Sequence, residues 1–238
     1  MPHSPLLLLL ATLAATAATA APAEDDDGYE ETEALPQDEL EGSSRFSLMT
    51  GWRYAPNGRF FDQYYSHPDR RGLERARGTI GGPLLMGCFA FSPINLIEVG
   101  IDLFTSYERM TFPGQPGLNA FTVGTLLGLR FQHKLEIGRY GLVPSVGALL
   151  GPVLMVAAFD GGQALESAPW SFGVTAGATL NLSEVWGLRF EYRLLSGRNA
   201  AEDVGPYDAV GNWFSVGLTY QFPSKSDRPM GRSILRPR

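Results

Sequence analysis

Residues 170–182 read WSFGVTAGATLNL, and their order decides the fold. Trp170, Phe172, Val174, Ala176, Ala178, Leu180 and Leu182 take every second position, with Ser171, Gly173, Thr175, Gly177, Thr179 and Asn181 between them. Side chains of an extended strand point alternately to its two faces, so this segment carries one apolar face and one small, polar face. A helix would scatter the same residues around its axis.

The pattern recurs on both sides of this segment. Trp186, Leu188, Phe190, Tyr192 and Leu194 alternate with Gly187, Arg189, Glu191 and Arg193. Phe214, Val216, Leu218, Tyr220 and Phe222 alternate with Ser215, Gly217, Thr219 and Gln221. Upstream, Phe121, Val123, Leu127, Leu129 and Phe131 oppose Thr122, Gly124, Gly128, Arg130 and Gln132. Arg45 to Tyr54 and Leu96 to Tyr107 alternate well, and 79–91 and 142–156 less regularly. That makes eight segments, an even number that closes an antiparallel barrel. Their connections alternate in length: long at 55–78, 108–119, 160–168 and 196–211, short at 92–95, 138–141 and 183–186. The expected fold is all-β, an eight-stranded antiparallel up-and-down transmembrane barrel over residues 45–222, with short turns and both termini in the periplasm.

Composition and charge bound the alternatives. Only 18% of the 238 residues are charged, and 28 are glycine. One cysteine, Cys88, excludes an internal disulfide framework and a cysteine-based zinc site. Residues 24–42 hold ten acids and no base, 223–238 hold five bases and one acid, and 43–222 balance at fourteen of each. A neutral body with an acidic arm and a basic tail offers nucleic acid no basic, aromatic-interleaved domain. Both arms have the composition of chain that does not order itself, and sharing one side of the membrane they are candidates to pair with each other or with a partner. Ahead of them, residues 1–23 carry an apolar run and two A-x-A sites, Ala18-Thr19-Ala20 and Ala21-Pro22-Ala23, as a secretory signal peptide does.

Which face of the strands looks inward follows from the minor face. A soluble lipocalin-like binder would put its apolar face inside and cover the other with Lys and Glu. Here the other face is mostly Gly, Ser and Thr, which suits a cramped lumen. Its charges, Arg53, Glu98, Asp102, Arg130, Lys134, Glu136, Arg189, Glu191 and Arg193, are nearly balanced in sign and are the expected lumen ion-pair network. The alternative is a narrow pore lined by the same groups. Aromatic girdles are expected at Trp52, Tyr54, Tyr107, Trp170 and Trp213 on the outer rim, joined by Phe214, and at Phe131, Trp186, Phe190, Tyr220 and Phe222 on the inner rim. Residues 140–159 are uncharged and contain GALLG, a possible spanning helix, but two prolines and three glycines favour a strand. The pairs Gly124/Gly128, Gly147/Gly151 and Gly173/Gly177 then share the lumen face.

The last segment, NWFSVGLTYQF at 212–222, resembles the C-terminal signal by which outer-membrane barrels are inserted, carried by Phe214, Val216, Leu218, Tyr220 and Phe222. With the leader and four hairpins, residues 45–222 resemble the small eight-stranded outer-membrane barrels of the outer-membrane protein A/X type. The resemblance implies a monomer in the cell outer membrane, delivered by the barrel-assembly machinery and surrounded by lipid. It departs in two respects: the basic tail follows Phe222, and no peptidoglycan-binding domain follows the barrel, so cell-wall anchoring is not carried over.

No catalytic, cofactor or metal residues are assigned. A lipid A-modifying enzyme on this scaffold needs a nucleophile beside a histidine. Past the leader the histidines are His67, with Asp69 nearby in a loop, and His133, which the alternation turns toward lipid. Asp160-Gly161-Gly162 reads as a turn, and Cys88 as a small apolar side chain. The first long loop is more informative. Arg59, Arg70, Arg71, Arg75 and Arg77, counted with Arg53, outnumber Asp62, Asp69 and Glu74 and stand among Phe60, Phe61, Tyr64 and Tyr65. Arginine forks and aromatic faces suit anionic lipopolysaccharide headgroups, and a solvated, variable loop is the alternative. A structural or surface-interaction role in the outer membrane is the expected function.

Overall fold

Ser44 and Phe222 are register partners on the first and last strands, and their pairing closes the sheet into a ring. The computed structural model describes residues 40–55, 57–75, 81–137, 140–201, 205–208 and 210–222. The expected signal peptide, nearly all of the acidic arm and the basic tail lie outside them.

Eight antiparallel strands form the wall: β1 (Ser44–Tyr54), β2 (Gly82–Ile94), β3 (Ile97–Phe112), β4 (Gln115–Gln132), β5 (Tyr140–Phe159), β6 (Trp170–Asn181), β7 (Trp186–Ser196) and β8 (Gly211–Phe222). Each pairs with its sequence neighbour, and β8 returns to β1. No strand edge is left along the barrel, which removes the template for edge-to-edge pairing. The β2–β3, β4–β5 and β6–β7 connections and both strand termini, Ser44 and Phe222, lie at one end, the turn end. The opposite, loop end carries helix α1 (Gly58–Ser66) and a two-stranded hairpin, Arg198–Ala201 with Gly205–Asp208.

Polarity is inverted relative to a soluble barrel. Leu48, Leu85, Phe89, Leu103, Leu127, Leu150, Val174 and Leu218 face outward and exposed, whereas Arg53, Asp102, Arg130 and Arg193 are fully buried. An outward apolar wall around a charged interior is the arrangement a lipid bilayer demands, so the barrel is transmembrane. A lipocalin-like binder needs the opposite arrangement. Residues 140–159 form β5, so the possible spanning helix is a strand, and Gly124, Gly128, Gly147, Gly151, Gly173 and Gly177 all fall on its inward parity or that of its neighbours.

The loop expected at 108–119 is largely wall. β3 and β4 run 16 and 18 residues and meet in a two-residue turn at Pro113-Gly114. Proline pre-sets the first turn position, and Gly114 supplies the positive φ, 66°, of the second. Alternation continues through Glu108, Met110 and Phe112 inward, a pattern that ends only at the turn. With the 20 residues of β5, these strands rise as a blade above the shorter β1, β7 and β8.

Gly147 is one of the inward positions that only glycine can fill. A Cβ on Gly147 would lie 2.3 Å from the Leu129 carbonyl oxygen and 2.8 Å from the Arg130 Cα and Cγ, so only a bare backbone lets β4 and β5 close around the Arg130 side chain.

Candidate functional site: a filled lumen and its two ends

Alternation along β3, β4 and β7 brings charged side chains to one level of the lumen. Glu98 and Asp102 come from β3, Arg130 from β4, and Arg189, Glu191 and Arg193 from β7. In a ring of eight, β3 and β7 stand on opposite walls. Arg193 nevertheless reaches Asp102 at 2.7 Å, and Arg189 reaches Glu98 at 3.6 Å, so the ion pairs cross the bore. Arg193 also pairs with Glu191, and Arg189 with Glu191 at 2.7 Å. Arg130 pairs with Asp102 and, at 3.2 Å, with Glu98.

Two members of this interior were missed by the sequence. Arg45 of β1 donates to Glu98 at 2.5 Å and to the Gln132 Oε1. Gln132 Nε2 in turn donates to the Ser92 hydroxyl at 2.8 Å. Glu108, inside the expected loop, holds Arg53 at 2.6 Å. Parity gives both away, since Arg45 continues the Ser47, Met49, Arg53 face and Glu108 the Glu98, Asp102, Ser106 face. Among the described residues, four arginines (Arg45, Arg130, Arg189, Arg193) thus share three carboxylates (Glu98, Asp102, Glu191).

Lys134 and Glu136 stand apart from this network. Lys134 is half-buried and Glu136 exposed at the turn end, because the short strand Leu135–Ile137, which continues the pairing of β4 with β5 in the same register, lies beyond the β2–β3 turn and has no neighbour on its β3 side.

An apolar layer lies toward the loop end. Trp213 is fully buried, its ring centroid 4.4 Å from that of Phe104, with Nε1 donating to the Val210 carbonyl at 2.8 Å. The Arg193 guanidinium stands 5.7 Å from the same ring. Met49, Met86, Leu84, Leu126 and Leu149 belong to the same cluster. Trp213 therefore leaves the outer girdle to which its height near the strand end assigned it. It has the parity of Ser215 and Gly217, and its neighbour Phe214 takes the lipid side. Trp52, Tyr54, Tyr107, Trp170 and Phe214 face outward near the loop end. Phe131, Trp186, Phe190 and Phe222 face outward toward the turn end, with Tyr220 half-buried between Trp186 and Phe222, at 5.0 and 4.9 Å. Phe214, Val216, Leu218, Tyr220 and Phe222 occupy alternate positions on the outer face of β8.

The first loop folds over the loop end rather than standing in solvent. Helix α1 spaces Phe60, Phe61, Tyr64 and Tyr65 on one side, one and four residues apart. Phe60, Tyr64 and Tyr65 are buried, Tyr64 stacking on Phe112 at 4.6 Å and on Phe159 at 6.1 Å. Burial pushes the Tyr64 hydroxyl pKa upward, against the pull of Arg70. Asn57 Oδ1 accepts from the Asp208 amide at 2.9 Å, tying the helix to the last loop. Asp160 secures the blade, accepting from Asn119 Nδ2 at 2.7 Å, the Gly117 amide at 3.1 Å and Arg109 at 3.2 Å. The Arg70 guanidinium covers the Tyr64 ring at 4.0 Å, and Arg75 pairs with Asp62 at 3.3 Å. Arg53, counted with this loop from sequence, belongs to the lumen. His67 and Asp69 are both exposed, 3.5 Å apart, and His133 faces outward. Cys88 is buried against Arg193.

No family model and no curated protein matches the sequence. Solved structures do. The barrel is similar to Ail, the attachment invasion locus protein of Yersinia pestis, solved with the heparin analogue sucrose octasulfate, at 17% identity over 77% of this chain and 100% of that one, with a TM-score of 0.45. It is similar to OprG of Pseudomonas aeruginosa at 11% identity over 79% and 99% of the two chains, TM-score 0.44. The N-terminal β-barrel domain of Pseudomonas aeruginosa OprF gives 13% identity over 76% and 98%, TM-score 0.43. The chain is thus similar to small outer-membrane barrels, at identities that leave its function to its own residues.

Proposed function

We propose that the protein is a resident outer-membrane barrel with a structural or surface-interaction role, its wall in lipid and its loop end displayed outward. One observation carries this reading: the bore is crossed by side chains at two levels, Arg193 to Asp102 among the ion pairs and Trp213 against Phe104 above them. A narrow pore needs a continuous polar path, and an apolar layer sealed by α1 interrupts it. The termini then lie in the periplasm, the lipid face of β8 serves as the signal for the barrel-assembly machinery, and the closed ring acts as a monomer. Exposed Arg109 and the arginines around α1 suit phosphates of lipopolysaccharide, with Arg70 pre-positioned by its contact with Tyr64.

The test is mobility on SDS gels with and without boiling, after outer and inner membranes are separated. A heat-dependent shift confined to the outer-membrane fraction is expected, since a wall without free edges resists SDS until heated. Recovery in the soluble fraction without a shift would overturn the reading.

A further inference from the structure

The turn end carries a feature that neither the wall nor the lumen explains. Residues 40–43 extend the β1–β2 ladder, Gly42 N donating to the Ser92 carbonyl at 2.8 Å and Ser92 N to that of Ser43 at 3.0 Å. The chain then turns across the opening, and Leu40, 2% exposed, becomes its floor. Two grooves flank Leu40 and Lys134. The first, of about 380 Å³, is bordered by Glu41, the β2–β3 turn and His133. The second, of about 400 Å³, runs past Glu136, Tyr140, Asn181, Glu184 and Gln221.

We infer that the second groove is the docking site of this chain's own C-terminal segment, residues 223–238. Three observations converge. Gln221 borders the groove one residue before β8 ends, so the segment starts at its lip; the first groove takes in nothing from β8. The segment brings Lys225, Arg228, Arg232, Arg236 and Arg238 against one acid, Asp227. The groove offers Glu136 and Glu184 against Lys134, whereas the first sets Glu41 against Lys134 and His133. Lys225 and Arg228 stand three and six residues beyond Phe222, a reach of about 10 and 20 Å, enough to enter the groove without straining β8. Docked there, the segment pins the end of β8 beside its register partner Ser44 on β1, at the seam that closes the ring.

The test uses the full chain in detergent micelles, with Ser226→Cys carrying a paramagnetic label; Cys88, buried in the lumen, is protected from labelling in the folded protein. Amide signals of Glu136, Gly141 and Asn181 are expected to weaken several-fold, while those of Ile94 and Leu96 in the first groove keep their intensity. The effect should vanish in the Glu136→Gln/Glu184→Gln double variant, whose two changes sit at the rim and leave the heat shift intact, and in 1 M salt, where the Debye length is about 3 Å. Unaffected signals, equal weakening in both grooves, or weakening indifferent to the double variant would overturn the inference. So would weakening seen only when labelled and isotope-enriched molecules are mixed, which would make a second copy the occupant.

Discussion

The Arg193 guanidinium meets the Asp102 carboxylate 2.7 Å away across the full width of the lumen, and neither side chain reaches solvent. The two residues belong to strands on opposite walls, so the pair is a strut as well as an ion pair. Asp102 also accepts from Arg130, which places a single carboxylate between two guanidinium groups. Replacing it by Asn takes away the negative charge that the two cations share in a closed interior. Loss of one member of a buried pair costs about 3–5 kcal/mol. Asp102→Asn is therefore expected to unfold at markedly lower urea in lipid or detergent, with the heat shift moved to lower temperature.

Gln132 is where the lumen lacks a charge. Four arginines share three carboxylates, and the Arg45 guanidinium fills one of its contacts with the neutral Gln132 Oε1. That bond is already charge-assisted on the guanidinium side, and a carboxylate in place of the amide would add the attraction of a fourth anion for the fourth arginine. Gln132→Glu should therefore raise the urea midpoint at neutral pH. A midpoint that is unchanged at neutral pH would show that the network is already balanced by something else.

Trp213 should behave unlike the other tryptophans. Buried against Phe104, it is shielded from lipid and from water, whereas Trp52, Trp170 and Trp186 look outward. Quenchers placed on lipid tails should leave the emission of a protein whose sole tryptophan is Trp213 nearly unchanged and reduce that of one keeping only Trp170. Trp213→Ala should cost about 3–5 kcal/mol, the usual loss for a buried aromatic ring.

Two glycines give opposite expectations. Gly147→Ala would force backbone apart at Leu129, at a cost of about 1–3 kcal/mol, as overpacking does. Gly87 has nothing within 4 Å of an added Cβ, so Gly87→Ala should leave stability unchanged in the same urea titration.

Most of the wall was legible because period-two alternation is a direct consequence of strand geometry, and lipid outside with charge inside makes the two faces easy to tell apart. Where parity was followed, the lumen charges fell on the inward face. Where it was set aside, the expectation failed. Trp213 was placed by its height near a rim, although its parity is that of Ser215. Residues 108–119 were assigned to a long connection, although Glu108, Met110 and Phe112 keep the beat. Lys134 and Glu136 keep the inward parity, since Leu135–Ile137 continues the β4 ladder on β5, but they stand beyond the β2–β3 turn, clear of the ion pairs. Helix α1 is nine residues long, too short for a strong periodic signal, and its burial depends on Phe112 and Phe159 from strands whose extra height the loop assignment of 108–119 left out.

Closure of the bore is decided most directly by current through single molecules in a planar bilayer. The purified protein, and a variant lacking residues 58–66 so that α1 no longer covers the loop end, should both stay at the conductance of bare lipid, because the pairs of Arg193 with Asp102 and of Trp213 with Phe104 remain. Discrete, ohmic steps from the intact protein would contradict a filled lumen and establish a pore in its place.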